Sequence, residues 1–340
     1  MLPWAASLVL SGVVLGHQPA PPALPSRVEQ YLSIVTKLTP AERKKLTDGA
    51  ALTKSLDGDP GKEAAVFGAI WMNAPIARYV EAVKDVENLE TGTGYTVTKR
   101  LSARPTIDEF SAMHLPEQDL KDLRKCRVGA CDVKLDEQAI GRFQREIDWH
   151  APGAHAAANA LMQRIVLEYV HKYLEGGNER LPVYRDKSRP VVIADEFRAM
   201  VGGMPEFTTF MPEMRSYLLD YPKVTLPQAP SFIYWQETVF GLKPTLRVSH
   251  VTIREGKEET VVTSKMIYAS HYVWTAIETR MLFPDPARGP GFWFITSNRS
   301  RVDGLTGITG AFVRWRLRSQ LQMAMLGSLQ ATKQKIEQRR

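Results

Sequence analysis

Six side chains able to exchange protons or pair charges stand inside stretches that otherwise read as apolar strands, Glu237, His250, His271, Glu278, Arg280 and Arg299, and four of them, Glu237, His271, Glu278 and Arg280, are candidates for a site. A histidine beside a carboxylate acts as a general base near neutral pH. Glu278 and Arg280, two residues apart, share a strand face, where such a pair either orients the carboxylate or phosphate of a ligand or anchors neighbouring strands. The four are candidate polar anchors of a site; the alternative is a set of solvated charges on outward faces. The same stretches are rich in aromatic residues. Phe232, Tyr234 and Phe240 alternate onto one face, and Tyr268, Tyr272 and Trp274 share a face if Ala269 is not a bulge. Aromatic walls with a few polar tips suit a flat or long apolar ligand, or they fill an ordinary core. The candidate ligand contacts are Phe232, Tyr234, Tyr268, Tyr272, Trp274 and Phe294, joined by Leu317 and Leu321 from the C-terminal segment.

The sequence has no Gly-x-Ser-x-Gly elbow, no His-Glu-x-x-His helix and no phosphate-cradling Gly-x-x-x-x-Gly-Lys loop. Gly304, Gly307 and Gly310 are spaced for a hinge or gate rather than for a dinucleotide loop. His150 and His155 lack further partners at ligand spacing and read as a polar helix start. No catalytic residue, metal or cofactor is assigned.

With 340 residues, 44% of them apolar and 24% charged, the composition is that of an ordinary globular chain, which excludes disordered and fibrous classes. The formal charge of +7 lies wholly after position 298, where nine cations face only Asp303 and Glu337. Arg314, Arg316 and Arg318 are the candidate contacts of this basic segment with an anionic membrane surface; the alternative is a solvated helix face with a frayed tail. The cations are not interleaved with a reader motif, so no nucleic acid partner is expected.

Residues 2–16 form an apolar stretch too short for a membrane span and run into a Pro-rich segment, which suits a signal peptide cleaved after Gly16. No Lys or Arg precedes it, and an uncleaved anchor is the alternative. Export to the periplasm or medium is the expectation. The only cysteines, Cys126 and Cys131, would in an oxidising compartment close a local disulfide around Val128-Gly129, with two free thiols as the alternative.

Periodicity supplies the elements that would position these groups. Two short helices lead in, the second starting at a capping box, Thr39-Pro40-Ala41-Glu42. An apolar run at 63–72 predicts a buried strand, followed by Asn73-Ala74-Pro75 and a helical series Ile76, Tyr79, Val80, Val83, Val86. Residues 91–101 alternate like a strand. From about 104 to 221 the pattern is helical, with a capping box at Thr106 to Glu109 and a stripe Leu161, Ile165, Tyr169, Tyr173. Strand chemistry resumes at 231–240, 245–254, 260–283 with a break near Ala269, and 291–299, as an antiparallel meander. One long helix over 310–337 closes the chain and is apolar on more than one side, as a sandwiched helix is.

The segment VFGAIWMNAPIARYVEAVKDVENLE, with its Ala74-Pro75 step, Tyr79, Val83 and Asp85, and the C-terminal RVDGLTGITGAFVRWRLRSQL resemble the START/SRPBCC helix-grip superfamily over about 63–103 and 228–337. The whole chain is also similar to a group of exported bacterial proteins sharing CRVGACDVKL and VYRDKSRP, a likeness that implies export and no activity. The resemblance implies an α+β fold in which an antiparallel sheet wraps a long C-terminal helix around a ligand cavity. In this chain the organisation would be a signal peptide at 1–16, a linker with short helices at 17–62, and a helix-grip domain at 63–337 interrupted by a helical insertion at 104–221. The function expected from it is that of an exported carrier for a hydrophobic molecule such as a lipid. An enzyme of the same fold acting on an apolar substrate, and an envelope scaffold docking through its basic C-terminus, are the alternatives.

Overall fold

A computed structural model describes residues 23–338 apart from 93, 240–242, 304, 306 and 307, with the side chains of 308–315 and 317 outside the description. The leader at 1–16, Phe240, Gly304, Gly307 and the side chains of Arg314 and Leu317 therefore lie outside the described residues. Helices α1 (Ser26–Val35) and α2 (Pro40–Thr47) come first, α2 held by the expected reciprocal box, Thr39 with Glu42. Strands β1 (Leu52–Ser55) and β2 (Glu63–Met72) follow, then α3 (Ile76–Lys84), α4 (Val86–Leu89) and β3 (Tyr95–Arg100). After a 3-10 turn capped by Thr106 and Glu109 come α5 (Glu117–Lys125), α6 (Glu137–Glu146) and α7 (Ala154–Gly176). A two-residue ribbon, β4 (Val183–Tyr184) with β5 (Val191–Val192), precedes α8 (Ile193–Gly202), α9 (Pro205–Thr209) and α10 (Pro212–Asp220). The meander is β6 (Ser231–Val239), β7 (Pro244–Glu255), β8 (Thr260–Ala269), β9 (Val273–Pro284) and β10 (Phe292–Val302), and α11 (Ile308–Gln338) closes the chain.

The fold is α+β. Eight strands form one antiparallel sheet in the order β1-β2-β10-β9-β8-β7-β6-β3. The strands read as near-continuous apolar runs, and all ten residues of β8 are buried, because helices cover both faces. On one face, called here the insert face, α5 to α7 pack on Ile233, Trp235, Val248 and Tyr268, while α1 and α8 to α10 pack on Phe67, Ile277, Phe283 and Trp293. The other face carries Ile70, Phe232, Tyr234, Leu282 and Phe294 under α3 and α11.

Helix α11 approaches the sheet most closely at its β1 and β2 edge and touches α3. Gly68 of β2 is why it comes so near: a Cβ there would lie 2.8 Å from Met325 Cγ and 3.0 Å from Leu329 Cδ1. The end of α11 is pinned by Lys333 to the Trp71 carbonyl (2.8 Å), by Lys335 to the Leu89 carbonyl (2.7 Å), and by Glu337, which accepts from the Asn73 N–H (2.7 Å). Gly68→Val should cost about 1–3 kcal/mol in urea unfolding through overpacking; an unchanged midpoint would mean that α11 does not bear on β2.

One expectation about side-chain phase fails, for two backbone reasons. Val248 pairs with Tyr268 but Ser249 pairs with Met266, so Ile267 is an extra residue that shifts the alternation. The β8–β9 turn then places Tyr272 at φ 59, in the left-handed region. Tyr268, Tyr272 and Trp274 consequently do not share a face. Tyr268 meets Tyr169 and Tyr184 on the insert face, Trp274 packs there too and donates to Asp303, and Tyr272 packs with Met266 and Ala276 at the end of the α11 face.

Candidate functional site

On the α11 face Phe232 and Tyr234 of β6 and Phe294 of β10 belong to one apolar cluster that runs across the sheet, and Leu321 packs half-buried against that cluster. Tyr79 of α3 lies over Phe294, ring centres 5.1 Å apart, and edge-to-face contact fixes both rings. Into this apolar surface the sheet inserts a charged row. Arg280 donates from Nε to Glu278 Oε1 (2.9 Å) and from Nη2 to Oε2 (2.5 Å), with Glu90 Oε1 3.7 Å away. Glu90, at the end of α4, accepts from Gln236 Nε2 (2.6 Å) and Tyr234 Oη (3.2 Å), and Gln236 in turn accepts from Arg247. Thr296 Oγ1 donates to Glu278 (3.3 Å). Burial alone would lower the Arg280 pKa, but Glu278, Tyr79 and Glu90 together outweigh it and hold the guanidinium charged. Burial also raises the Tyr234 hydroxyl, with Glu90 adding to the effect, so the tyrosine stays a neutral donor. The charges of Arg247 and Arg280 balance those of Glu90 and Glu278.

The other two predicted anchors are elsewhere, so the four do not act on one substrate. Strand alternation sends Glu237, beside Trp235, to the insert face. His271, in the β8–β9 turn, reaches Asp119 of α5, Nε2 to Oδ2 2.9 Å, both side chains being about 3% exposed or less. Its Nδ1 is 3.0 Å from the Asp132 carbonyl, which can only accept, so Nδ1 carries a proton. Asp119, Glu237, Trp235 and Ser270 line a narrow cleft of about 10 Å³.

The carbonyl that faces His271 Nδ1 belongs to the residue that follows a disulfide. Cys126 and Cys131 are bonded, their Cα atoms 4.5 Å apart, around a turn in which Gly129 adopts φ 84. The Cys131 N–H donates to the Asp186 carbonyl (2.8 Å), tying this loop to the segment after β4. The double substitution Cys126→Ser/Cys131→Ser should lower the unfolding free energy by about 2 kcal/mol, as expected for a short closed loop; a loss within error would show that the surrounding hydrogen bonds hold the loop unaided.

Among the described residues, a hollow that α11 borders is lined by Leu56, Gly58, Glu63, Ala65, Leu305 and Arg318 and has room for about 20 Å³, the size of a water rather than of the lipid expected beneath the closing helix. Among the basic residues, Arg316 and Arg318 are exposed. Asp119 was missing from the sequence reading although it lies four residues before Leu123, a spacing that puts it on the apolar side of α5; Glu90, Gln236 and Arg247 were missing because their convergence depends on strand pairing.

No protein-family profile, curated protein or solved structure matches the chain. Among the described residues no helix is long and apolar enough to cross a membrane.

Proposed function

We propose that this is an exported carrier that holds a hydrophobic molecule such as a lipid against the α11 face of the sheet, with α11 as the cover that lifts to admit it. The observation that carries the reading is the row Arg247, Arg280, Glu278 and Glu90 set into the aromatic surface of Phe232, Tyr234 and Phe294. Buried charge contributes little to stability compared with apolar packing, so its presence on a ligand-sized apolar face favours a recognition role. The row is balanced in charge, which favours a guest with an uncharged polar head, such as an alcohol or ester, over a free acid.

The order of β2, a helix following Ala74-Pro75, antiparallel strands and a closing helix supports a helix-grip relationship. The insert face is sealed by two clusters of helices, leaving α11 as the cover to move. Its last turns are pinned by Lys333, Lys335 and Glu337, so the helix would pivot on its C-terminal end. The exposed Arg316 and Arg318 belong to the half that would lift. Docking of that half on an anionic membrane surface would couple lifting to loading: Arg316→Glu/Arg318→Glu should weaken binding to phosphatidylglycerol vesicles several-fold, and unchanged binding would separate the carrier from the membrane.

Uptake of the fluorescent probe 1-N-phenylnaphthylamine tests the reading, with monoolein as competitor. Gln322 donates to Ser55 Oγ (2.8 Å), so a short bis-maleimide across Ser55→Cys and Gln322→Cys would hold α11 on β1. The uncrosslinked protein should bind one probe per chain, displaceable by monoolein, and the crosslinked protein none. Absence of uptake, or uptake indifferent to the crosslink, would overturn the proposal.

A further inference from the structure

We propose that the cleft between α5 and strands β6 and β7 is a second binding site, which takes a protonated primary amine on an alkyl stem. Asp119 is 1% exposed and lines this cleft; one carboxylate oxygen is occupied by His271, and the other, Oδ1, has no hydrogen-bond partner among the described residues. Glu237 faces the same space, and among the described residues its carboxylate has neither a hydrogen bond nor an ion pair. Two acceptors in one cleft, one of them wholly buried and unsatisfied, call for a donor.

The charges around the cleft point to a cation. Lys243 is engaged by Asp122 (2.6 Å), and His271 already serves Asp119; His114 is the basic residue among the described lining of the cleft. Burial raises the Glu237 pKa and Asp119 raises it further, with His114 pulling the other way. A metal ion is disfavoured because no three His, Cys, Asp or Glu side chains among the described residues gather in ligating geometry. An ammonium group has three N–H donors. Asp119 Oδ1, Glu237 and the Ser270 hydroxyl oxygen, which already accepts from the Leu246 N–H (3.0 Å), line the cleft as acceptors for them. The volume of about 10 Å³ admits a single heavy-atom head, and Leu115, Pro116 and Leu246 offer an apolar wall to methylenes. Trp235 spends its N–H on the Glu109 carbonyl (3.0 Å), so it presents only ring to the guest.

Calorimetric titration at low salt with n-butylammonium chloride tests the site, with n-butanol as the neutral isostere. Saturable binding of the ammonium, no binding of the alcohol, and at least a tenfold loss of affinity in Glu237→Gln are the expected results. Comparable binding of butanol, affinity of Glu237→Gln within twofold of the parent, or no binding of butylammonium would overturn it. Glu237 is half-buried and unpartnered, so its replacement leaves the fold intact, and it lies on the opposite face from the lipid site. Nα-acetyl-lysine-N-methylamide in the same titration distinguishes the sources: binding equal to that of butylammonium assigns the cleft to a lysine of a partner protein, and exclusion assigns it to a free amine.

Discussion

Arg280→Leu is expected to lower the unfolding free energy by about 3–5 kcal/mol, the usual cost of removing one partner from a buried ion pair. The arginine is 8% exposed and is the cation that Glu278 holds by two hydrogen bonds, with Glu90 close behind. Its loss leaves two desolvated carboxylates, and Glu90 would keep only Gln236 and Tyr234 as donors. Removing Glu278 as well changes the balance. In Arg280→Leu/Glu278→Leu the face becomes apolar apart from the Glu90 group, and much of the lost stability should return. Guanidinium unfolding of the two variants measures the difference. If the double variant is no more stable than the single one, the row is not an electrostatic unit, and its use as a recognition element loses its basis.

The second large effect is of opposite sign. Lys265→Met should stabilise the protein by about 1–3 kcal/mol, because it removes a polar group buried with too little compensation. Lys265 of β8 is fully buried, and its hydrogen-bond acceptor is Asn178, which is itself fixed by the Leu218 and Leu219 carbonyls (2.9 and 2.7 Å). Tyr173 and Phe197 rings flank it, but among the described residues no carboxylate pairs with it. Burial drives its pKa well below the usual ammonium value. Nearby His250, between the hydroxyls of Tyr173 (3.0 Å) and Tyr217 (3.5 Å), is pushed down to about 3, first by burial and then by the charge of Lys265. Both groups bind protons more readily in the unfolded chain, so the folded state loses stability as pH falls. For His250 the loss begins below the unfolded value of about 6.5 and continues to about 3, at up to about 1.4 kcal/mol per unit. His250→Phe should flatten the acid limb of a stability–pH curve in that window. A parent curve that is level from pH 7 to 4 would show that the imidazole is not held neutral.

Strand positions were legible because β2 and β6 to β10 are long apolar runs bounded by turn residues, and burial on both faces writes that pattern directly. The capping boxes at Thr39 and Thr106 were legible for the same local reason, since their partners are three residues apart. Side-chain facing was legible only within an uninterrupted strand. Phe232 and Tyr234 share a face as alternation requires, but the extra residue at Ile267 and the left-handed Tyr272 reset the phase before Trp274, and nothing in the residue types marks either event. The four anchors divided into two pairs for this reason as well. Glu278 and Arg280 sit on one unbroken strand and meet, whereas His271 turns away to Asp119 of a helix 152 residues distant in sequence. The seating of α11 at one edge was equally hidden: it depends on Gly68, a small residue in a strand whose significance appears only when Met325 and Leu329 are laid over it.

Native mass spectrometry of the chain, mixed with a monoolein-containing lipid extract and then released gently from detergent, tests the central claim most directly. The account predicts one apolar molecule retained per chain, and none retained when the bis-maleimide joins Ser55→Cys to Gln322→Cys. A chain that emerges bare under all conditions, or that keeps its guest equally well with α11 held down, would contradict it.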